Sequence, residues 1–139
     1  KDIAVMGFSA GGILRRQLLL NFDGQINGTA LDEGYQPDRL DEISADAAAC
    51  GLIYSFYGRL SVGTTHVELL RSGNLPPTFY CYGTRDPFYE QFLANADAAE
   101  EAGVSVERLQ LDGMPHGFGA RGDWIPTYDS WLAQIFNGN

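Results

Sequence analysis

Histidine and cysteine are scarce in this 139-residue chain, two of each, and positive charge is the scarce sign: nine Lys and Arg stand against eighteen Asp and Glu. Each shortage excludes something. Cys50 and Cys81 lie inside apolar runs, far in sequence from His66 and His116. No Cys/His set with metal-ligand spacing exists, so no metal is expected. The two thiols read as buried and free rather than as a disulfide. A formal net charge of -9 repels phosphate backbones and anionic membrane surfaces, which argues against nucleic acid and membrane as partners. No apolar run approaches the roughly 18 residues that cross a bilayer, and no basic-then-apolar leader opens the chain. A soluble protein is expected, with no compartment legible. Internal repeats and long Pro/Ser/Gly linkers are absent too, so the expectation is one domain or part of one. There is no initiator Met: Lys1-Asp2 leads straight into an apolar run, and the natural N-terminus is expected upstream.

What is present is a core-forming composition, 45% hydrophobic and 12% aromatic, laid out as alternating short apolar runs and amphipathic stretches. Ile3-Ala4-Val5-Met6 ends in Gly7 and is followed by a helical pattern over about 10–22, with Ile13, Leu14 and Leu18 on neighbouring turns. Residues 23–46 are rich in Gly, Asp and Asn and read as an irregular excursion before a buried strand at 49–56. A second excursion, 57–76, holds a helical turn or two around 65–70 and ends at Pro76-Pro77. Residues 78–82 form a third strand, closed by the turn residues Gly83-Thr84-Arg85-Asp86-Pro87. Phe88, Phe92, Ala96 and Ala99 then recur at helical spacing until Gly103. A fourth strand is expected at 104–111, a loop at 112–122 and a closing helix at 124–136. This order predicts an α/β fold, a parallel sheet with helices on both faces.

In such sheets functional residues gather at the carboxyl ends of the strands, and Ser9, Asp86 and His116 all fall there. Gly7-Phe8-Ser9-Ala10-Gly11 fits the G-x-S-x-G turn that lifts a serine above a sheet, with glycines where neighbouring backbone leaves no room for a side chain. Gly12 extends it as close helix–strand packing would require. A helix N-cap is the bland alternative for Ser9. Against it stands the order Ser, Asp, His, each residue following its own strand. A serine hydroxyl is a poor nucleophile until a base takes its proton; His116 fits the base, and Asp86 fits the carboxylate that orients it. The Ala10 N–H, at a helix start directly after Ser9, fits an oxyanion donor. Asp112 is the rival acid, but it shares a loop with His116 and is too constrained to reach the ring from behind. His66, with no glycine turn around it, reads as an ordinary surface or core histidine, whereas Pro115-His116-Gly117-Phe118-Gly119 can fold a loop over the serine.

These motifs resemble the α/β-hydrolase serine esterases and lipases, particularly the carboxylesterase and acetyl-xylan-esterase-like branch. Gly7-Phe8-Ser9-Ala10-Gly11-Gly12 is similar to its nucleophile elbow, Pro76-Pro77-Thr78-Phe79 leading to Gly83-Thr84-Arg85-Asp86-Pro87 to its strand and acid turn, and His116-Gly117-Phe118-Gly119 to its histidine loop. The resemblance implies the C-terminal half of one hydrolase domain over residues 1–139, lacking the upstream strands and the second oxyanion loop. It implies pairing along residues 3–6 with the missing N-terminal half or a swapped chain. It further implies ester hydrolysis through an acyl-enzyme without a cofactor, on a small-molecule or carbohydrate-linked ester, with the isolated chain weak or inactive. The absence of a broad apolar lid points to short acyl groups, and loops rich in Trp, Tyr and Gly suit a carbohydrate acetate. A serine peptidase of the same fold and a non-catalytic, hydrolase-like assembly module remain the alternatives.

Overall fold

The computed structural model describes residues 3–13, 32–41, 46–59, 61–73 and 75–138. Among them lie β1 (Ala4–Phe8), β2 (Ala49–Ile53), β3 (Gly58–Arg59), β4 (Val62–Gly63), α1 (Val67–Ser72), β5 (Thr78–Gly83), α2 (Tyr89–Glu101), β6 (Val106–Leu111) and α3 (Trp124–Asn137). Four strands form one sheet in the order β1-β2-β5-β6, every neighbouring pair parallel. The expected parallel α/β architecture is therefore present.

Burial follows position in the sheet. β2 and β5, in the middle, are buried at every residue, whereas β6 at the edge is mostly only partly buried or exposed, as expected when central parallel strands are covered on both faces. β5 shows how the two-residue period distributes its side chains. The Tyr80 hydroxyl donates to Asn95 Oδ1 of α2 at 2.8 Å and the Tyr82 ring stacks on Phe92 of the same helix at 5.7 Å. Phe79, one residue before Tyr80 and so on the other face, packs against Tyr128 and Trp131 of α3 at 5.2 and 5.4 Å. Helices α2 and α3 thus cover opposite faces. Cys50 and Cys81 are buried and free, and no described helix is long and apolar enough to cross a membrane.

Several bounds differ from the sequence reading; β1 runs on through Gly7 to Phe8. β2 stops at Ile53 rather than running to Phe56, because Tyr54 takes a left-handed φ of 39° and turns the chain off the sheet. β6 begins at Val106, two residues later than expected. The excursion at 57–76 contains α1, slightly beyond the expected turn, and also the antiparallel hairpin β3–β4. Strands of two residues carry no readable alternation, so periodicity could not reveal them. The helix expected at 10–22 is described for residues 10–13 only, and much of the excursion at 23–46 lies outside the described residues.

The excursion is tied to the sheet by one buried amide. Asn95 is fully buried and all of its hydrogen-bonding groups are used. Its Oδ1 accepts from the Tyr57 N–H at 2.9 Å and from the Tyr80 hydroxyl, while its Nδ2 donates to the carbonyls of Tyr57 at 2.7 Å and Thr64 at 2.6 Å. Removing it strands several buried groups at once. Asn95→Ala is expected to lower stability by about 2–4 kcal/mol, read as a fall in the urea midpoint at constant slope. Asn95→Asp should be comparably damaging, since a carboxylate cannot donate to the two carbonyls.

Burial also pushes the Cys81 thiol up from 9.0 to about 12 and raises the phenols of Tyr57 and Tyr80 well above 10.0. Above pH about 9 the unfolded chain therefore holds fewer protons than the folded one, and stability falls as pH rises. Denaturant midpoints measured between neutral and strongly alkaline pH should decline progressively. A flat profile would contradict the neutral burial of these groups.

Candidate active site

Ser9 sits where β1 ends and the helical residues 10–13 begin. Its φ of 49° lies in the left-handed region, which costs an L-residue roughly 1–2 kcal/mol. Neighbouring backbone holds it there. The Ser9 N–H donates to the Ile53 carbonyl at 3.1 Å, and the Ser9 carbonyl accepts from the Gly12 N–H at 3.0 Å and from Ser55 Oγ at 2.7 Å. The chain crosses itself tightly at this point. A Cβ on Gly7 would stand 2.5 Å from the Gly12 backbone, and one on Gly12 only 2.1 Å from Ser55 Oγ and 2.6 Å from its Cβ. Gly11 departs from the sequence reading: a Cβ there meets nothing within 4 Å. Gly7 and Gly12 are the crowded pair, because Gly11 faces outward on the first helical turn.

Asp86 lies in the turn after β5 and His116 in the loop after β6. The two loops are laced together: the Thr84 N–H donates to the Leu111 carbonyl at 3.2 Å, the Arg85 N–H to the Met114 carbonyl at 3.0 Å, and the Gly113 N–H to Thr84 Oγ1 at 2.8 Å. Asp86, its carboxylate fully buried, accepts from the Phe88 N–H through Oδ1 at 2.9 Å, and its Oδ2 lies 2.6 Å from His116 Nδ1. On the other side of the ring, Nε2 lies 2.8 Å from Ser9 Oγ. An ionised carboxylate can only accept, so Nδ1 carries the proton toward Asp86 and a neutral imidazole leaves Nε2 to accept from the Ser9 hydroxyl. The structure therefore brings Ser9, His116 and Asp86 into one continuous line.

The histidine loop is built by left-handed residues. Gly117 and Gly119 have φ of 70° and 61°, and Trp124 at the start of α3 pins the loop by donating Nε1–H to the Gly119 carbonyl at 2.8 Å. Tyr54 and Phe88 stand edge-on to the His116 ring with centroids at 5.2 and 5.6 Å. Ala10 opens the helical residues, so its own N–H has no intrahelical acceptor. A cleft of about 120 Å³ opens beside it, lined by residues that include Ser9, Ile13, Phe56, Phe88 and His116.

The rivals lie elsewhere. Asp112 is exposed and accepts from Gln110 Nε2 at 3.1 Å. His66 is an exposed N-cap of α1 whose Nδ1 accepts from the Leu69 N–H at 3.0 Å. Among the described residues no group of His, Cys, Asp and Glu could hold a metal ion. Sequence reasoning missed Tyr54, Ser55, Phe56 and Phe88 as site residues. The signal for the first three was available: they follow a strand's carboxyl end, but extending β2 to Phe56 hid them inside the sheet.

Strand order, the strained serine turn and the Ser, Asp, His chain order fit the alpha/beta hydrolase fold. The family model of that description matches residues 1–120, and the chain belongs to this family. Among solved structures it is similar to Thermogutta terrifontis esterase 2 phosphorylated by paraoxon, with 25% identity and a TM-score of 0.62 over 96% of this chain and 54% of that one. The propionate-bound form of that esterase gives 22% and 0.59, over 98% and 54%. A fungal esterase from Rhizomucor miehei gives 18% and 0.64, over 98% and 51%. The chain thus spans about half the length of these structures. No curated protein matches it in sequence.

The crowding at the elbow separates two substitutions of identical chemistry. Gly12→Ala should cost about 1–3 kcal/mol, because the Ser55 Cβ cannot retreat without its backbone. Gly11→Ala should be neutral or slightly stabilising, in keeping with the better helix propensity of alanine. Paired thermal melts of the two variants check this, and equal losses would contradict the crossing geometry.

Proposed function

We propose that the protein is a serine ester hydrolase acting on short-chain carboxylic esters through an acyl-enzyme. The observation that carries this reading is the unbroken line from the Ser9 hydroxyl through the His116 ring to the buried Asp86 carboxylate, at 2.8 and 2.6 Å. In the reading, Ser9 Oγ attacks the ester carbonyl as His116 Nε2 takes its proton, and Asp86 stabilises the imidazolium that forms. The Ala10 N–H receives the oxyanion. His116 then returns the proton to the departing alcohol, and a water activated by the same nitrogen releases the acid. Strain at Ser9 supports the assignment, since left-handed φ in a non-glycine residue persists only where surrounding structure enforces it.

The dimensions of the cleft support a small acyl group. Its roughly 120 Å³ is below the range of pockets that enclose drug-sized ligands, and Ile13, Phe56 and Phe88 give it apolar sides. An acetyl group fits within this limit, so a carbohydrate-linked acetate is among the esters the reading admits.

The test uses p-nitrophenyl acetate and a fluorescent alkyl phosphonate with the full-length protein. Ser9→Ala should abolish turnover and covalent labelling together, and Asp86→Asn should retain the fold while losing about 10⁴-fold in kcat. Undiminished turnover in Ser9→Ala would overturn the proposal, and a wild-type protein that neither turns over ester nor takes label would favour a non-catalytic module.

A further inference from the structure

The hairpin β3–β4 has no part in the chemistry above, yet its turn contributes Ser61 to the same cleft as Ser9, Phe88 and His116. A two-stranded ribbon this short is not stable by itself in water. What holds it is a pair of amide side chains one turn apart on α2. Gln91 Oε1 accepts from the Gly63 N–H at 2.7 Å while its Nε2 donates to the Ser61 carbonyl at 3.0 Å. Asn95 grips the chain on both sides of the hairpin, at Tyr57 and Thr64. Ser61 itself is kept at a left-handed φ of 64°. The same helix begins just after Phe88, whose N–H holds Asp86 and whose ring stands beside His116. One helix therefore fixes both the carboxylate and the distance across the cleft.

We propose that Ser61 is a specificity-determining residue and that Gln91 is a positioning residue acting through it, together limiting how far an ester's alkyl group can extend from Ser9. The inference rests on the ester-hydrolase reading and names its substrate class. The cleft of about 120 Å³ has room for an acyl chain of a few carbons between Ile13, Phe56 and Phe88. Ser55 cannot make more room, because its hydroxyl is committed to the Ser9 carbonyl. A longer chain must displace Ser61, whose carbonyl is tied to Gln91, so the hairpin yields only by breaking that clamp.

The experiment measures kcat/KM for p-nitrophenyl acetate and octanoate in the full-length protein, with phosphonate labelling of Ser9 as the control for an intact site. Ser61→Asn enlarges the wall with a residue that tolerates left-handed φ, and Ser61→Gly removes it. The octanoate-to-acetate ratio should fall about 10-fold in the first and rise about 10-fold in the second. Gln91→Met keeps the bulk but frees the hairpin, and should raise the ratio as Ser61→Gly does. Ratios within twofold of wild type, or moving in the same direction for Asn and Gly, in proteins that still label at Ser9 overturn the hairpin's role alone. A wild-type protein without turnover or label overturns the ester reading beneath it. Should Gln91→Met fail to fold, the two substitutions at the exposed Ser61 still decide the question.

Discussion

Where β1 gives way to helix, the chain passes over itself so closely that Gly7 meets the backbone of Gly12 and Gly12 meets the side chain of Ser55. That contact fixes the position of everything else at the site. It is made possible by the parallel register of β1 on β2, which sets Phe8 opposite Ile53 and brings Ser55 just beyond the strand end. From there the Ser55 hydroxyl and the Ile53 carbonyl hold the Ser9 backbone in a conformation it would not choose alone. The strain is local, and the sheet beneath absorbs it.

The other half of the site depends on two loops behaving as one. Asp86 and His116 are 30 residues apart in sequence, but bonds from Thr84 and Arg85 to the chain around Leu111 and Met114 place their loops side by side. The carboxylate is buried and takes two bonds, one from the Phe88 amide and one shared with the imidazole. The His116 ring is confined between the edges of Tyr54 and Phe88, so its second nitrogen points at Ser9 without an energetic contribution from substrate. Pre-organisation of this kind is what allows a hydroxyl and an imidazole to act together rather than merely lie close.

α2 links these loops to the cleft. Its beginning supports Asp86, its buried face packs on Tyr82 and Phe56 through Phe92, and its polar side chains Gln91 and Asn95 reach out to the excursion after β2. α2 is thus the element through which sheet, carboxylate and cleft wall share one frame.

Local chemistry and spacing were enough to indicate the parallel sheet, the serine turn and the Ser9, Asp86 and His116 set, because strand ends, glycine turns and helical periods are written in consecutive residues. Asp86 could be preferred to Asp112 on chain geometry alone. Other features had no local signature. That Gly12 and not Gly11 is the crowded glycine depends on Ser55, 43 positions away. That β2 stops at Ile53 depends on Tyr54 turning its ring toward Phe8, His116 and Phe118. The hairpin exists because Gln91 and Asn95 find backbone partners about 30 residues upstream, which no helical period signals. The amino-acid order by itself determined which residues could do chemistry; only the folded chain decided which backbone groups would hold them, since those bonds join segments whose separation no local pattern encodes.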